Sequence, residues 1–263
     1  MARRRRSGGD VDVLPGFRLP VRRVQERVTH PISRDHWPAT LAPVRQLLDD
    51  GLDLGPATVL VGENGSGKST LVEAVAGAFG LSVEGGSANT AHWADDEDAG
   101  GPGGRLRDVS PLQRHLQLVR GAGASRWGYF LRAETMHATF AALLERVQGS
   151  PDRLAMSHGE SYLALLEDHF DGSGLYLLDE PESALSFESQ LALVGVLAAQ
   201  VASGRAQVVV ATHSPLVAAL PGARVMEVSE RGLHEVAWED LDVVAHWRSF
   251  LGAPERYLRH IRP

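Results

Sequence analysis

An α/β fold with a mainly parallel central sheet is predicted for this chain of 263 residues. Three short apolar runs, at 57–62, 175–178 and 207–212, carry that expectation. They lack the alternation of half-exposed strands and read as strands buried on both faces. Each ends in residues able to do chemistry: a glycine-rich loop, a pair of carboxylates and a histidine. In a parallel sheet, ligands collect at the carboxyl ends of the strands, so the three tips are expected to meet.

Composition narrows the function classes. A net charge of −7 argues against a surface built to coat nucleic acid. With no cysteine, disulfides and thiolate metal sites are excluded. The longest apolar run, 191–202, is interrupted by Gln200 and is too short to cross a bilayer. Arg3 to Arg6 are followed by Ser-Gly-Gly-Asp and not by an apolar stretch, so no secretory leader is read there, and a cytoplasmic protein is expected. Of the 26 basic residues, 25 are arginine and one is Lys68, which marks a position where an ammonium is chemically hard to replace.

Taken in order, residues 1–16 read as a disordered basic tail, and 17–263 as one domain. The alternation over 17–28 fits a strand, and Trp37 reads first as core packing. Strand 57–62 runs into Gly62-Glu63-Asn64-Gly65-Ser66-Gly67-Lys68-Ser69-Thr70, followed by a helical pattern over 71–79. Residues 85–104, rich in glycine and carrying Asp95 to Asp98, read as an inserted mobile loop serving as a lid, with metal binding by those acids the weaker alternative. Residues 111–119 suggest a helix on which Gln113 and Gln117 are solvated. A helical subdomain is expected over about 111–170, with a strand at 127–134 crossing it. A helix over 186–202, strands at 224–228 and 233–237, and helical segments at 241–251 and 254–261 complete the pattern. No heptad run lies between Lys68 and Asp179, and no internal repeat occurs.

Strand, glycine loop and helix in that order are the context that the phosphate-loop motif G-x-x-x-x-G-K-S/T requires. Backbone amides of Gly62 to Thr70 can curl around phosphate oxygens, reinforced by the positive end of the helix. Lys68 would reach the β- and γ-phosphates, Ser69 would offer its hydroxyl to Mg²⁺, and Thr70 would reach the α-phosphate. Asp179 suits a hold on Mg²⁺ from the end of its strand. Glu180 points elsewhere and can orient or deprotonate the attacking water. The 34 residues from Asp179 to His213 leave room for one crossover helix, so His213 can stand beside the γ-phosphate.

The order of these motifs resembles the ABC-type ATPases, the branch that includes SMC, RecF and OLD proteins as well as transporter ATPases. Met156-Ser157-His158-Gly159-Glu160-Ser161 resembles the family signature L-S-G-G-Q. The resemblance implies an inserted helical subdomain carrying that signature and an N-terminal antiparallel β portion. It also implies ATP and Mg²⁺ as ligands and a transient head-to-tail homodimer in which Ser157 and Gly159 of one copy meet the γ-phosphate of the other. Ser183 to Ser186 resembles the loop after the acidic pair, with Ser186 in place of the usual aspartate. His158 and Glu160 also depart from the signature. No glutamine follows the strand at 127–134, and Glu134 is the expected metal- or water-facing substitute. Trp37 would match the family's adenine-stacking aromatic. More narrowly, Phe130 to Glu134, Ser157 to Ser161 and Leu175 to Glu182 resemble the small single-domain bacterial "predicted AAA-family ATPase" group.

These readings give an ATP-hydrolysing protein that acts on an unnamed protein partner. The alternatives are a transporter's nucleotide-binding subunit, without membrane insertion of its own, and a DNA-associated repair or phage-defence ATPase. Nucleic acid is the less favoured partner on charge.

Overall fold

A computed structural model describes residues 18–82, 86–87, 111–132, 172–183 and 185–259. Among the described residues, ten strands fall into two sheets. β1 (Arg23–Glu26), β2 (Leu52–Asp53) and β5 (Leu116–Val119) form a three-stranded antiparallel sheet in the order β2-β1-β5. The central seven-stranded sheet has the order β10-β9-β3-β8-β7-β6-β4. Its members are β3 (Ala57–Val61), β4 (Gly86–Ser87), β6 (Gly128–Arg132), β7 (Gly174–Asp179), β8 (Ala206–Thr212), β9 (Arg224–Ser229) and β10 (Gly232–Glu235). The five strands from β9 to β6 run parallel, and β10 and β4 close the edges antiparallel.

Two-residue periodicity sorts the strands onto two apolar layers. On β7, Leu175 and Leu177 join one layer, while Tyr176 and Leu178 join the other; on β8, Val209 and Ala211 oppose Val208 and Val210 in the same way. The first layer is roofed by α1 (Ala42–Asp50), α2 (Lys68–Phe79) and the antiparallel sheet. The second is covered by α3 (Phe187–Ala202), α4 (Pro215–Ala218) and α5 (Asp242–Gly252), with α6 (Pro254–Leu258) following α5. Both faces are covered, which explains why the strands read as continuous hydrophobic runs.

Gln207 is a polar residue fully buried in β8. Its amide donates to the Val21 and Gly55 carbonyls and its oxygen accepts from the Val21 amide, which stitches the entry to the antiparallel sheet onto the central one. Satisfying all three partners removes the cost of burying the amide.

Several expectations are corrected. The helix expected over 111–119 is a 3₁₀ turn, Pro111–His115, followed by strand β5, because Leu112 and Leu116 are drawn into the core under α2. Leu116–Val119 and Gly128–Arg132 therefore lie in the two sheets; positions 133–171, the rest of the expected helical subdomain, lie outside the described residues. Of the loop expected at 85–104, Gly86–Ser87 forms an edge strand against β6. Trp37 is not core packing, since it is 58% exposed. The strand expected over 17–28 shortens to four residues, and Ser186 caps α3 by accepting from the Ser189 amide.

Candidate functional site at the carboxyl edge of the central sheet

Strand register assembles the site. Val61 pairs with Thr212, Ala211 with Asp179, and Asp179 with Arg132, so the tips of β3, β8, β7 and β6 finish at one level. The loop after β3 is tightly packed: a side chain at Gly62 would overlap the Val228 carbonyl oxygen on β9. Gly67, at φ +100°, caps α2 in a left-handed conformation, which glycine adopts at little steric cost. Lys68 and Ser69 thus open α2, where free amides and the helix dipole favour an anion. Ser66 Oγ in the same loop is buried and has no hydrogen-bond partner among the described residues.

Lys68 is 2% exposed, and burial pulls its ammonium below the usual lysine range against the opposing pull of Glu180 and Asp179. Its Nζ donates to the Glu63 carbonyl at 2.8 Å and stands 4.0 Å from Glu180 Oε1. The Ser69 hydroxyl donates to Asp179 Oδ1 at 2.9 Å. Asp179 is pushed up to about 6, chiefly by burial, with the Ser69 hydrogen bond acting the other way. One hydroxyl and one carboxylate side by side suit Mg²⁺, which keeps much of its water and takes few protein ligands.

Glu180 has φ +49°, the only positive value at a non-glycine position among the described residues. A left-handed backbone there costs on the order of 1–3 kcal/mol and persists where its surroundings enforce it. Those surroundings are the Glu180 amide donating to the Ala211 carbonyl and Ser183 donating to the Glu180 carbonyl through both amide and hydroxyl. The kink turns Glu180 away from Asp179 and towards His213, whose Nδ1 lies 3.8 Å from Glu180 Oε1. Asp179 and Glu180 are adjacent in sequence, yet Asp179 meets Ser69 while Glu180 stands between Lys68 and His213. Beside them opens a cleft of about 670 Å³, lined by residues 62–66, His213, 227–231, Asp242 and His246.

The chain resembles several ATP-binding proteins over most of this span. It is 32% identical over 170 residues to the cytochrome c biogenesis ATP-binding export protein CcmA of Gluconobacter oxydans, a match covering 63% of this chain and 72% of that protein. The chain belongs to the ABC-type ATPases. Another relative within the ABC-type ATPases, the aliphatic sulfonates import ATP-binding protein SsuB of Delftia acidovorans, is 32% identical over 64% of this chain and 68% of its own length. A family profile described as "AAA domain, putative AbiEii toxin, Type IV TA system" matches residues 138–219. The SMC head domain from Thermotoga maritima superposes over 71% of this chain and 93% of that one, at 15% identity and a TM-score of 0.40.

Of the site residues expected for this ABC-type ATPase, the structure brings together Gly62 to Thr70, Asp179, Glu180 and His213. Ser157, Gly159 and Glu134 lie outside the described residues. Sequence reading passed over Glu182. It is 4% exposed, with Oε1 accepting from the Thr212 hydroxyl and from the amides of His213 and Ser214 at 3.0 and 3.2 Å. A third acid close behind Asp179 and Glu180 was its only signal. Arg132 was also missed; it pairs with Glu73 at 2.9 Å, beside Asp179.

Proposed function

We propose that the protein hydrolyses Mg-ATP at the edge formed by β3, β7 and β8, and that two copies close head-to-tail over the nucleotide to drive a change in a partner protein. The observation that carries this reading is the convergence of Lys68, Ser69, Asp179, Glu180 and His213 on one edge, with Ser69 hydrogen-bonded to Asp179. In this reading the amides of Gly62 to Thr70 cradle the phosphates. Lys68 exchanges its Glu63 carbonyl and Glu180 contacts for the β- and γ-phosphates, and the Ser66 hydroxyl, without a partner among the described residues, gains an acceptor. Ser69 and Asp179 would hold Mg²⁺, which neutralises developing phosphate charge when bound. Glu180 accepts the proton of the attacking water or orients it, and His213 stands within reach of the γ-phosphate. Ser157 and Gly159 of the second copy complete the site, with Glu134 at the metal or the water. Trp37, exposed ahead of α1, is available to stack on adenine.

The test is the mass in solution of Glu180→Gln, which should retain ATP and remain closed. A shift from one chain to two on adding saturating Mg-ATP is expected. A monomer under those conditions removes the sandwich from the proposal.

A second reading has the protein working as the ATP-binding subunit of a transport assembly on the cytoplasmic face of a membrane. Two relatives whose names specify export and import support it. No helix among the described residues is long and apolar enough to cross a membrane, so a separate membrane protein would be needed. Recovery of Glu180→Gln with a membrane protein in detergent extracts, dependent on ATP, would favour it. Recovery only in the aqueous fraction would count against it.

A further inference from the structure

The loop bearing His213 is clamped from two sides. Glu182 Oε1, besides its three hydrogen bonds to Thr212, His213 and Ser214, lies 3.4 Å from His213 Nδ1. On the other side, Gln190 of α3 accepts from the Ser214 hydroxyl at 2.7 Å and donates to the Leu185 carbonyl at 3.2 Å. The second oxygen of Glu182 is buried and has no partner among the described residues. Burying a carboxylate with one oxygen unsatisfied is unfavourable, and a glutamine or an apolar side chain would fill the space at lower cost. The oxygen that meets this loop takes one hydroxyl and two backbone amides, so it must be an acceptor.

We propose that Glu182 is the positioning residue for His213, holding its ring in the tautomer with hydrogen on Nδ1 and leaving the Nε2 lone pair to face the attacking water. A carboxylate offers lone pairs and no hydrogen, so a ring nitrogen facing it at close range carries the proton. Glu180 Oε1, 3.8 Å from the same Nδ1, makes the same demand. A neutral His213 then presents a lone pair at Nε2, suited to accept a hydrogen from water. The opposite tautomer would instead donate from Nε2 to a phosphate oxygen. Glu182 selects between these two roles while its bonds to the His213 and Ser214 amides fix the backbone from which the ring projects. The inference rests on the reading of His213 as a nucleotide-facing residue.

Nitrogen-15 spectra of the nucleotide-free, histidine-labelled full chain at pH 8 test it, with the His213 signals assigned by their loss in His213→Ala. A protonated-type resonance at Nδ1 and a pyridine-type resonance at Nε2 are expected; the reverse pattern overturns the proposal. Glu182→Leu, which offers no acceptor, should remove the preference for hydrogen on Nδ1. It should also lower kcat on the order of ten- to a hundred-fold while leaving KM for ATP within about two-fold. Glu182→Asp, still acceptor-only, should keep the wild-type tautomer. An unchanged tautomer and kcat in Glu182→Leu also overturn it. Should that variant fail to fold, the wild-type spectrum still decides. Loss of all ATPase activity in the wild type would sink the functional reading, while the spectrum would judge Glu182 separately.

Discussion

Two clusters of acids and bases occupy this molecule, and they are built in opposite ways. Beside the antiparallel sheet, Arg34 forks onto both oxygens of Glu26 at 2.6 and 3.0 Å and reaches Asp49 at 2.8 Å. The Arg34 hydrogen bond holds the Glu26 carboxyl below the usual range. At the carboxyl edge of the central sheet, Asp179, Glu180 and Glu182 share a single buried lysine, and burial pushes Asp179 the other way. In the first cluster one planar guanidinium bonds both carboxylates directly, and the arrangement is structural. In the second, negative charge is left partly uncompensated on the strand tips, where a cation and a phosphate chain would meet it. An unmatched charge is a sharper mark of a working site than a dense network of ion pairs.

The comparison can be tested at four strengths. Glu180→Gln should reduce phosphate release on the order of 10²- to 10⁴-fold if it handles the proton of the attacking water. A loss below ten-fold would return Glu180 to the structural class. Lys68→Arg places at the site the cation that the rest of the chain uses. Because Lys68 is 2% exposed there is little room for a fork, and hydrolysis should fall on the order of 10²- to 10³-fold. Near-normal turnover would erase the distinction drawn between the two clusters.

Asp179→Asn should stabilise the protein free of nucleotide and metal by on the order of 2–3 kcal/mol at pH 8. The sign follows from linkage. A carboxyl raised to about 6 on folding holds its proton more tightly in the native state. Native stability therefore falls as pH rises from the ordinary carboxylate range to about 6, and the whole cost is carried above that. Thermal melts at pH 8 and pH 5 measure it: the gain should shrink at the lower pH, and an equal gain at both would contradict burial as the cause. Glu26→Gln should cost about 1 kcal/mol near pH 7 and leave kcat unchanged. Its penalty should vanish as pH falls through the carboxylate range, because the depressed group contributes stability only while ionised.

Much of the site was legible beforehand, because the phosphate loop is a local device. Its glycines, lysine and serine are consecutive, and the strand before and helix after them are set by short-range apolar patterns. The strands bearing Asp179 and His213 were readable for the same reason. Residues 111–119 misled because Leu112 and Leu116 have helical spacing, whereas hydrogen bonds to β1, nearly a hundred positions earlier, decide the backbone there. Trp37 misled because an isolated aromatic carries no record of what covers it. Glu182 was invisible as a partner of His213 because the contact spans 31 residues and exists only once β7 and β8 lie side by side.

By itself, then, the sequence determined the phosphate loop, the polar strand tips and the place of the lone lysine, since these depend on neighbours within a few residues. The tertiary structure alone decided that Ser69 meets Asp179, that the backbone at Glu180 turns it towards His213, and that Glu182 closes over the histidine's amide. Those choices depend on parallel register across four strands, which brings together at one level groups lying far apart along the chain.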